Sequence, residues 1–411
     1  MKVKLNAGSC WALAACLILA PASWAGVKYK VLHNFGAGAD GRQPSGPLLL
    51  GPEGSLFGVT SNGGGSACGG AGCGTVFELV PRGIGRWSER VLYGFADTGH
   101  GYAFPKGNLV QAASGNLYGW AGSYYCCYTA VLELSPGPGR WGVDWVWTNG
   151  SGPGLLLDQA GNLYGFMGYD AGPIAELSPG SDGWTYTDLY NFCPPPGCYD
   201  GSEPVAPLSW DVHGNLYGTT LFGGNEPPKC LGSAGCGVAF QMTPNGDGTW
   251  TYNVLWRFAA TKTDGYYPYA GLTVDASGTA YGATWGGGKY GNGTFFKLTP
   301  TKSGLWTETI LYQFPSCANG CGPSYTLVPD KAGNLYGSGA GGSTACGYGC
   351  GVIFKFSPQK NGTWKYSVVH EFNGTDGAFP YGVVLDDKGN IFGTTNAGGK
   401  YNMGVTFEIT P

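Results

Sequence analysis

Aromatic residues beside a repeated turn are the residues of this chain best suited to binding a ligand. The turn Asp-Gly-x-x-Pro starts at Asp40, Asp200, Asp264 and Asp376. Its Asp is typical of a turn former that accepts backbone hydrogen bonds. Aromatic rings stack on the apolar C–H faces of sugars, while nearby polar side chains bind the hydroxyls. The ligand-binding candidates in these connections are Tyr102, Phe104, Tyr266, Tyr267, Tyr269, Phe379, Tyr381, Arg42 and Glu203. The alternative is that the rings only pack between repeats.

Residues that support catalysis are sparse. The four histidines are His33, His100, His213 and His370. The sequence contains no Gly-x-Ser-x-Gly elbow, His-Glu-x-x-His motif or phosphate loop, so no cofactor or metal is predicted. Glu203, Glu226 and Asp170 are the acids from which a glycosidase-type pair would be drawn, but the sequence does not give the separation on which that chemistry depends.

The cysteines come in closely spaced pairs. Fourteen cysteines less Cys10 and Cys16 leave twelve. Local pairing of an even number favours disulfides in an oxidising compartment over zinc ligation. The five predicted disulfides are Cys68–Cys73, Cys193–Cys198, Cys230–Cys236, Cys317–Cys321 and Cys346–Cys350. The adjacent residues Cys126 and Cys127 form either a sixth disulfide or two thiols, since a ring between neighbours distorts the peptide unit.

A sevenfold repeat organises these residues. The motif Gly-x-[Leu/Ile/Ala]-[Tyr/Phe]-Gly recurs about every 56 residues. Its copies start at Gly54, Gly115, Gly161, Gly214, Gly278, Gly333 and Gly389. Around each copy the sequence predicts an inner strand, the motif strand, an alternating third strand that in most repeats ends near Pro, and a fourth strand that usually opens with Trp. Seven units of four antiparallel strands predict an all-β, seven-bladed β-propeller.

The two ends of the chain complement each other. The seventh repeat stops at Pro411, after its third strand, and 27–35 reads as an isolated fourth strand. We therefore predict that the N-terminal strand completes the last blade, which removes two exposed sheet edges. Residues 26–411 then form a single domain.

The repeated residues resemble a known family. Asn215-Leu216-Tyr217-Gly218-Thr219-Thr220 and Asn390-Ile391-Phe392-Gly393-Thr394-Thr395, with the Val-Phe-x-Leu-x-Pro strands, are similar to the GloVer-type tandem repeats of exported bacterial proteins. The resemblance extends from about Val27 to Pro411. It implies export and a propeller-like repeat, and it brings no catalytic motif.

His33 and His370 acquire a structural interpretation from the repeat. They occupy the position that holds Tyr93, Tyr190 and Tyr312 in other units. We interpret both as replacements of a packed aromatic residue rather than as a metal pair.

The topology of a propeller blade predicts where function lies. The loops between strands two and three lie on the same face as the connections between blades, and we call this the loop face. All six cysteine pairs fall on it. The opposite face, the turn face, has tight turns that begin with Asp158, Asp275 and Asp330. Stapled loops on a rigid scaffold are a common location for binding sites.

Composition and charge exclude some partners. The chain has 77 Gly and 27 Pro, but 43% of its residues are hydrophobic and only 12% are charged, so it should fold. Its net charge of −4 disfavours nucleic acid and anionic membranes as partners.

The first 25 residues are typical of an export signal. Lys2 and Lys4 precede an apolar run, and small residues lead to a cleavage point before Gly26. The run is too short to span a bilayer. A rival interpretation lipidates Cys16, after Leu13-Ala14-Ala15. We predict a secreted or cell-surface protein without a transmembrane segment.

Together these features predict an exported, monomeric propeller that binds a polysaccharide or cell-surface glycan on its loop face. One alternative is a carbohydrate-active hydrolase or lyase that uses acids on the same face. A second is a protein–protein interaction module. Two carboxylates that converge at the channel mouth would favour the enzyme.

Overall fold

Each copy of the repeated motif lies in the second strand of a four-stranded antiparallel blade, and seven blades form the propeller. The computed structural model describes residues 27–411 except 37–38, 84, 97–100, 124–128, 140, 151, 153, 169–171, 195–196, 225–234, 260 and 262. No helix in these described ranges is long and apolar enough to cross a membrane.

The strands of the first three blades follow one another along the chain. Blade one comprises Gly41–Pro44, Leu49–Leu50, Leu56–Gly63, Thr75–Pro81 and Trp87–Gly94. Blade two comprises Tyr102–Gln111, Leu117–Ser123, Thr129–Ser135 and Gly142–Gly150. Blade three comprises Leu155–Leu157, Leu163–Phe166, Ile174–Gly180 and Gly183–Tyr190.

The remaining blades repeat the pattern, with short 3₁₀ turns at Pro52–Gly54, Cys317–Asn319 and Thr344–Cys346. Blade four comprises Ser209–Trp210, Leu216–Thr220, Val238–Pro244 and Trp250–Arg257. Blade five comprises Thr273–Val274, Ala280–Ala283, Thr294–Pro300 and Trp306–Gln313, with the added pair Gly265–Tyr266 and Gly286–Gly287. Blade six comprises Cys321–Pro323, Val328–Pro329, Leu335–Ala340, Val352–Pro358 and Trp364–Glu371. Blade seven comprises Ala378–Leu385, Ile391–Ala397, Val405–Thr410 and the N-terminal strand Lys28–Asn34.

The predicted closure of the ring is confirmed. Lys28–Asn34 pairs antiparallel with Val405–Thr410, from Lys28 opposite Thr410 to Asn34 opposite Val405. The third strand of blade seven, which ends the chain, therefore has a partner on both sides.

The last Gly of the motif is required by a ring on the next strand. A Cβ at Gly58 would lie 2.4 Å from Cζ of Phe77, and a Cβ at Gly393 would lie 2.5 Å from Cζ of Phe407. The same arrangement pairs Gly218 with Phe240, Gly282 with Phe296 and Gly337 with Phe354. These five rings are fully buried. Glycine in the second strand therefore leaves the space that the aromatic side chain of the third strand fills.

The Asp residues of the blade connections act as the turn formers that the sequence predicts. Backbone N–H groups of Gly36, Cys193 and Asn373 donate to the first carboxylate oxygen of Asp40, Asp200 and Asp376, at 2.9 to 3.1 Å. The second oxygen of each carboxylate bonds a ring on the preceding blade. Those ring partners are His33, Tyr190 and His370, and Trp256 does the same for Asp264. His33 and His370 therefore take the structural position that their repeat register indicates.

We call the boundary between two neighbouring blades a seam. At two seams a tyrosine hydroxyl also donates a hydrogen bond to the backbone of the blade connection. Tyr29 Oη donates to the backbone oxygen of Asp376 at 2.6 Å, and Tyr366 Oη donates to that of Asn319 at 2.6 Å. Glu89 and Glu308 occupy the same register in blades one and five. Burial, together with the charge of Asp40, raises the pKa of Glu89 to about 7. Burial and the charge of Asp264 raise the pKa of Glu308 to about 9.

The Glu308 seam makes stability depend on pH. The folded chain holds this carboxyl protonated, whereas an unfolded glutamate ionises near pH 4.5. The free energy of unfolding therefore falls as pH rises from about 4.5 to about 9. We expect Glu308→Gln to stabilise the protein by roughly 1–3 kcal/mol at pH 8 and to change little at pH 4, in urea unfolding curves. Glu371→Gln, at an exposed outer-strand position, is the control. Equal effects of Glu308→Gln at both pH values would contradict this.

Candidate functional site

Disulfides fix the loop face at four described places. Sulfur atoms are bonded in Cys68–Cys73, Cys193–Cys198, Cys317–Cys321 and Cys346–Cys350, as the spacing predicts. Cys230, and with it the predicted Cys230–Cys236 pair, lies outside the described residues, as do Cys126 and Cys127. Each of the four bonds closes a loop of only five or six residues, so it holds local shape more than it constrains the whole chain.

The residue before the connection proline has a left-handed backbone in six blades. These residues are Gln43, Phe104, Glu203, Tyr267, Gly322 and Phe379, with φ between 52° and 58°. For five of them the backbone N–H donates to a carbonyl in the preceding blade's loop. The pairs are Gln43 with Met403, Phe104 with Cys73, Tyr267 with Cys236, Gly322 with Asn292 and Phe379 with Cys350. The strained conformation is thus held from the neighbouring blade, which fixes the direction of each side chain on the loop face.

Exposed aromatic side chains concentrate on this face. Among the described residues the exposed ones are Tyr199, Tyr269, Trp285, Tyr290, Tyr348, Phe379 and Tyr401, all in loop-face segments. The exposed large aliphatic residues, Val212 and Leu305, belong to the turn face. Tyr348 stands at the tip of the Cys346–Cys350 loop and is fully exposed. Solvent-exposed aromatic side chains on rigid loops are a feature of binding surfaces.

Three adjoining cavities open at the loop-face end of the central channel. The channel cavity has a volume of about 550 Å³ and is lined by residues of six blades. A lobe of about 660 Å³ lies beside blade five, between Tyr267, Tyr269 and Trp285. A second lobe of about 370 Å³ lies between blades six and seven, beside Phe379 and Tyr348. Ser324 and Tyr325 line all three cavities, so the three cavities form one continuous depression.

Besides Phe222 and Tyr348, six aromatic rings border this depression, and we call these six the aromatic mouth. They are Tyr267, Tyr269, Trp285, Tyr325, Phe379 and Tyr381. Tyr325 and Tyr381 pack edge to face with ring centres 5.4 Å apart. Trp285 lies over the backbone of Gly322, where a Cβ would be 2.8 Å from Trp285 Cδ1. Glycine at this connection therefore makes room for the indole.

The structure divides the predicted site residues into two groups. Tyr267, Tyr269, Phe379 and Tyr381 border the depression. Of the others, Tyr102 packs on Trp145 and Phe104 packs against the core between blades, so these rings serve as inter-blade packing, the alternative set out above. The remaining three, Tyr266, Arg42 and Glu203, line none of the three cavities. Four of the seven predicted rings therefore border the depression.

Tyr325 and Trp285 were missed at the sequence level, although Tyr325 has a signal. Two residues before the buried inner-strand residue, five repeats have small or cyclic residues, namely Gly46, Gly107, Pro153, Ala206 and Ala270. Blades six and seven have Tyr325 and Tyr381 there. Both tyrosines line the channel cavity, and aligning the repeats on the inner strand identifies them.

Charge is scarce in the depression. The described residues that line the three cavities include no Asp or Glu, and Lys106 is their one charged side chain. Glu226 and Asp170, two of the three acids considered for an acid pair, lie outside the described residues. No cluster of three or more His, Cys, Asp or Glu suited to a metal ion occurs in the described ranges. The chemistry that the visible lining offers is stacking and hydrogen bonding.

A larger cavity lies on the other side of the propeller. It has about 1120 Å³ and spans blades one to four near the turn face, beside Trp210 and Trp250. Its acids, Asp158 and Asp211, already hold their own turns through backbone hydrogen bonds. We place the candidate site at the loop face, because exposed rings and stapled loops coincide there.

Similar structures agree with the propeller architecture. The structure of YCF48 bound to a D1 peptide is 13% identical, covers 94% of this chain and 97% of its own, and has a TM-score of 0.53. A Lactobacillus plantarum protein is 14% identical over 84% of this chain and 98% of its own, with a TM-score of 0.51. The polysaccharide lyase Uly1 is 11% identical over 92% of both chains, with a TM-score of 0.50. At these identities the similarity concerns the fold alone.

Sequence comparison locates the repeat family. The model of the Gloeobacter/Verrucomicrobia repeat matches residues 229–411, which run from the loop of blade four to the end of blade seven. The resemblance read from the motifs is confirmed there. No curated protein matches the chain.

Proposed function

We propose that this protein, whose residues 229–411 carry the Gloeobacter/Verrucomicrobia repeat, binds a polysaccharide or cell-surface glycan at the aromatic mouth. One observation supports the proposal above the others: the aromatic mouth from blades five to seven borders a continuous depression whose described lining has no carboxylate. A surface of this kind offers stacking to apolar sugar faces, and its described residues include no acid pair of the glycosidase type.

The depression suits an extended sugar chain. Trp285 and Phe379 are each about half exposed, so their ring faces are available. Asn396 borders the lobe of blades six and seven, and its amide lies 3.5 Å from Tyr381 Oη, so polar atoms adjoin the rings. Each stacked sugar contributes about 0.5–1.5 kcal/mol, so two or three rings contribute at most about 4.5 kcal/mol, which corresponds to a millimolar affinity.

Export belongs to the same proposal. Four local disulfides in the described chain favour an oxidising compartment, where a surface glycan would be encountered. Mass determination of the protein recovered from an exporting host tests the cleavage point before Gly26 against lipidation of Cys16.

Affinity electrophoresis in gels that contain a neutral polysaccharide tests glycan binding. We expect the wild type to be retarded and Trp285→Ala/Phe379→Ala to lose about tenfold or more in affinity, because two stacking faces are removed. Both residues are exposed, so the change leaves the core intact. Tyr290→Ala is the matched control: its ring is equally exposed on the loop face but lies outside the depression.

Two results would overturn the proposal. Retardation that the double variant retains across a panel of neutral polysaccharides would remove the aromatic mouth from binding. Release of reducing sugar by the wild type would place the protein among carbohydrate-active enzymes instead.

A further inference from the structure

The channel cavity contains a cation with no protein partner. Lys106 follows the connection proline of blade two and lines the 550 Å³ cavity. Four ion pairs occur among the described residues, and Lys106 is in none of them. No described side chain or carbonyl accepts a hydrogen bond from it.

The wall around Lys106 is neutral and partly desolvated. The Lys106 side chain is exposed to the solvent of the cavity, although desolvation by the surrounding wall lowers its pKa. The serines of the same wall already donate to backbone oxygens, Ser45 to Pro105 and Ser324 to Gly322. The side chain of Asn108 is bonded at both ends to the backbone of Leu155. These polar groups are therefore committed to the scaffold.

Two tyrosines offer hydroxyl groups to the same cavity. Tyr325 Oη has no hydrogen-bond partner among the described residues, and Tyr381 Oη only accepts one from Asn396. Burial raises the pKa of both hydroxyls, so they stay protonated donors. An ammonium group and two free O–H donors thus line one channel that holds no described acid.

We propose that the channel binds one carboxylate of an acidic sugar, with Lys106, Tyr325 and Tyr381 as its donors. This inference rests on the proposed function and further specifies that the glycan carries a negative charge. A single cation matches a monovalent anion, and the net charge of −4 disfavours polyanions and doubly charged phosphates. The aromatic mouth then stacks the neighbouring sugars, while the channel selects chains that present one uronic acid.

Lysine NMR tests the anion site directly. We would dimethylate the lysines with ¹³C, assign the Lys106 signal from Lys106→Met, and titrate glucuronate, glucose 6-sulfate and glucose to about 50 mM. We expect glucuronate to move the Lys106 signal and glucose to leave it in place. Lys302, in an exposed turn of blade five, is the internal control. Movement by the sulfated sugar as well would support a site for monovalent anionic sugars in general.

The inference fails if the Lys106 signal is unmoved by both acidic sugars or moves equally with glucose. Two variants extend the test: Lys106→Met should weaken glucuronate binding about tenfold, and Lys106→Arg should keep it within about threefold. Polysaccharide retardation that is lost in Trp285→Ala/Phe379→Ala, with glucuronate binding unchanged in Lys106→Met, would leave the proposed function standing and discard the anion site. The converse pattern would keep the anion site and discard the stacking surface.

Discussion

Removal of residues 27–35 is expected to cost the protein more than about 4 kcal/mol of stability, or to make it aggregate. The strand Lys28–Asn34 covers the outer edge of blade seven along six residue pairs. Its Tyr29 stacks on His370 with ring centres 3.9 Å apart, and Phe35 is fully buried. Without it, the ring has an exposed edge and an empty seam between blades six and seven. Thermal and urea unfolding of the chain with and without residues 27–35 measures the loss.

A point variant that leaves the strand in place is the control for the truncation. Lys28 is exposed, so Lys28→Ala should change the free energy of unfolding by less than about 0.5 kcal/mol. Equal melting temperatures for the chain with and without residues 27–35 would mean that the pairing of Lys28 with Thr410 does not close the ring in solution.

Gly351→Ala is expected to destabilise the protein by about 2–4 kcal/mol and to weaken glycan binding. Gly351 has a φ of +91°, and a Cβ there would lie 2.3 Å from Cδ of Pro380 in the next blade. The carbonyl of the preceding Cys350 also accepts the N–H of Phe379 at 2.8 Å. A shift that relieves the clash therefore moves a residue of the aromatic mouth.

Gly347→Ala separates the clash from the backbone strain. Gly347 lies in the same disulfide loop with a φ of +79°, but nothing is within 4 Å of its Cβ position. It should cost only the left-handed penalty of about 1 kcal/mol and leave binding unchanged. Equal losses for the two variants, measured by urea unfolding, would show that contact with Pro380 does not hold the seam.

The fold was predictable because local signals repeat. The motif Gly is fixed by a buried Phe on the next strand, and the Trp that opens most fourth strands lies opposite the Pro that ends the third, as Trp250 does with Pro244. With seven copies of the pattern, the strand assignment does not depend on any single copy. Counting the strands of each copy showed that the last one lacks its fourth strand, which predicted that the N-terminal strand closes the ring.

The site was less predictable because it depends on differences between repeats. The sequence placed all the rings in equivalent connections, but Phe104 faces the core between blades while Phe379 is half exposed. The two have the same left-handed backbone, and only the neighbouring side chains decide which ring reaches water. Trp285 gave no signal, because its loop position holds unrelated residues in the other blades.

The left-handed residues before the connection prolines have a practical consequence for engineering. Five of the six are held by a backbone hydrogen bond to the preceding blade, so the side chain at these positions can be varied without removing that bond. These five are Gln43, Phe104, Tyr267, Gly322 and Phe379. A library randomised at Phe379, the exposed side chain among these five, would vary the surface of the loop face while the inter-blade hydrogen bond persists. The side chains of the loop face can thus be changed one blade at a time on an unchanged propeller scaffold.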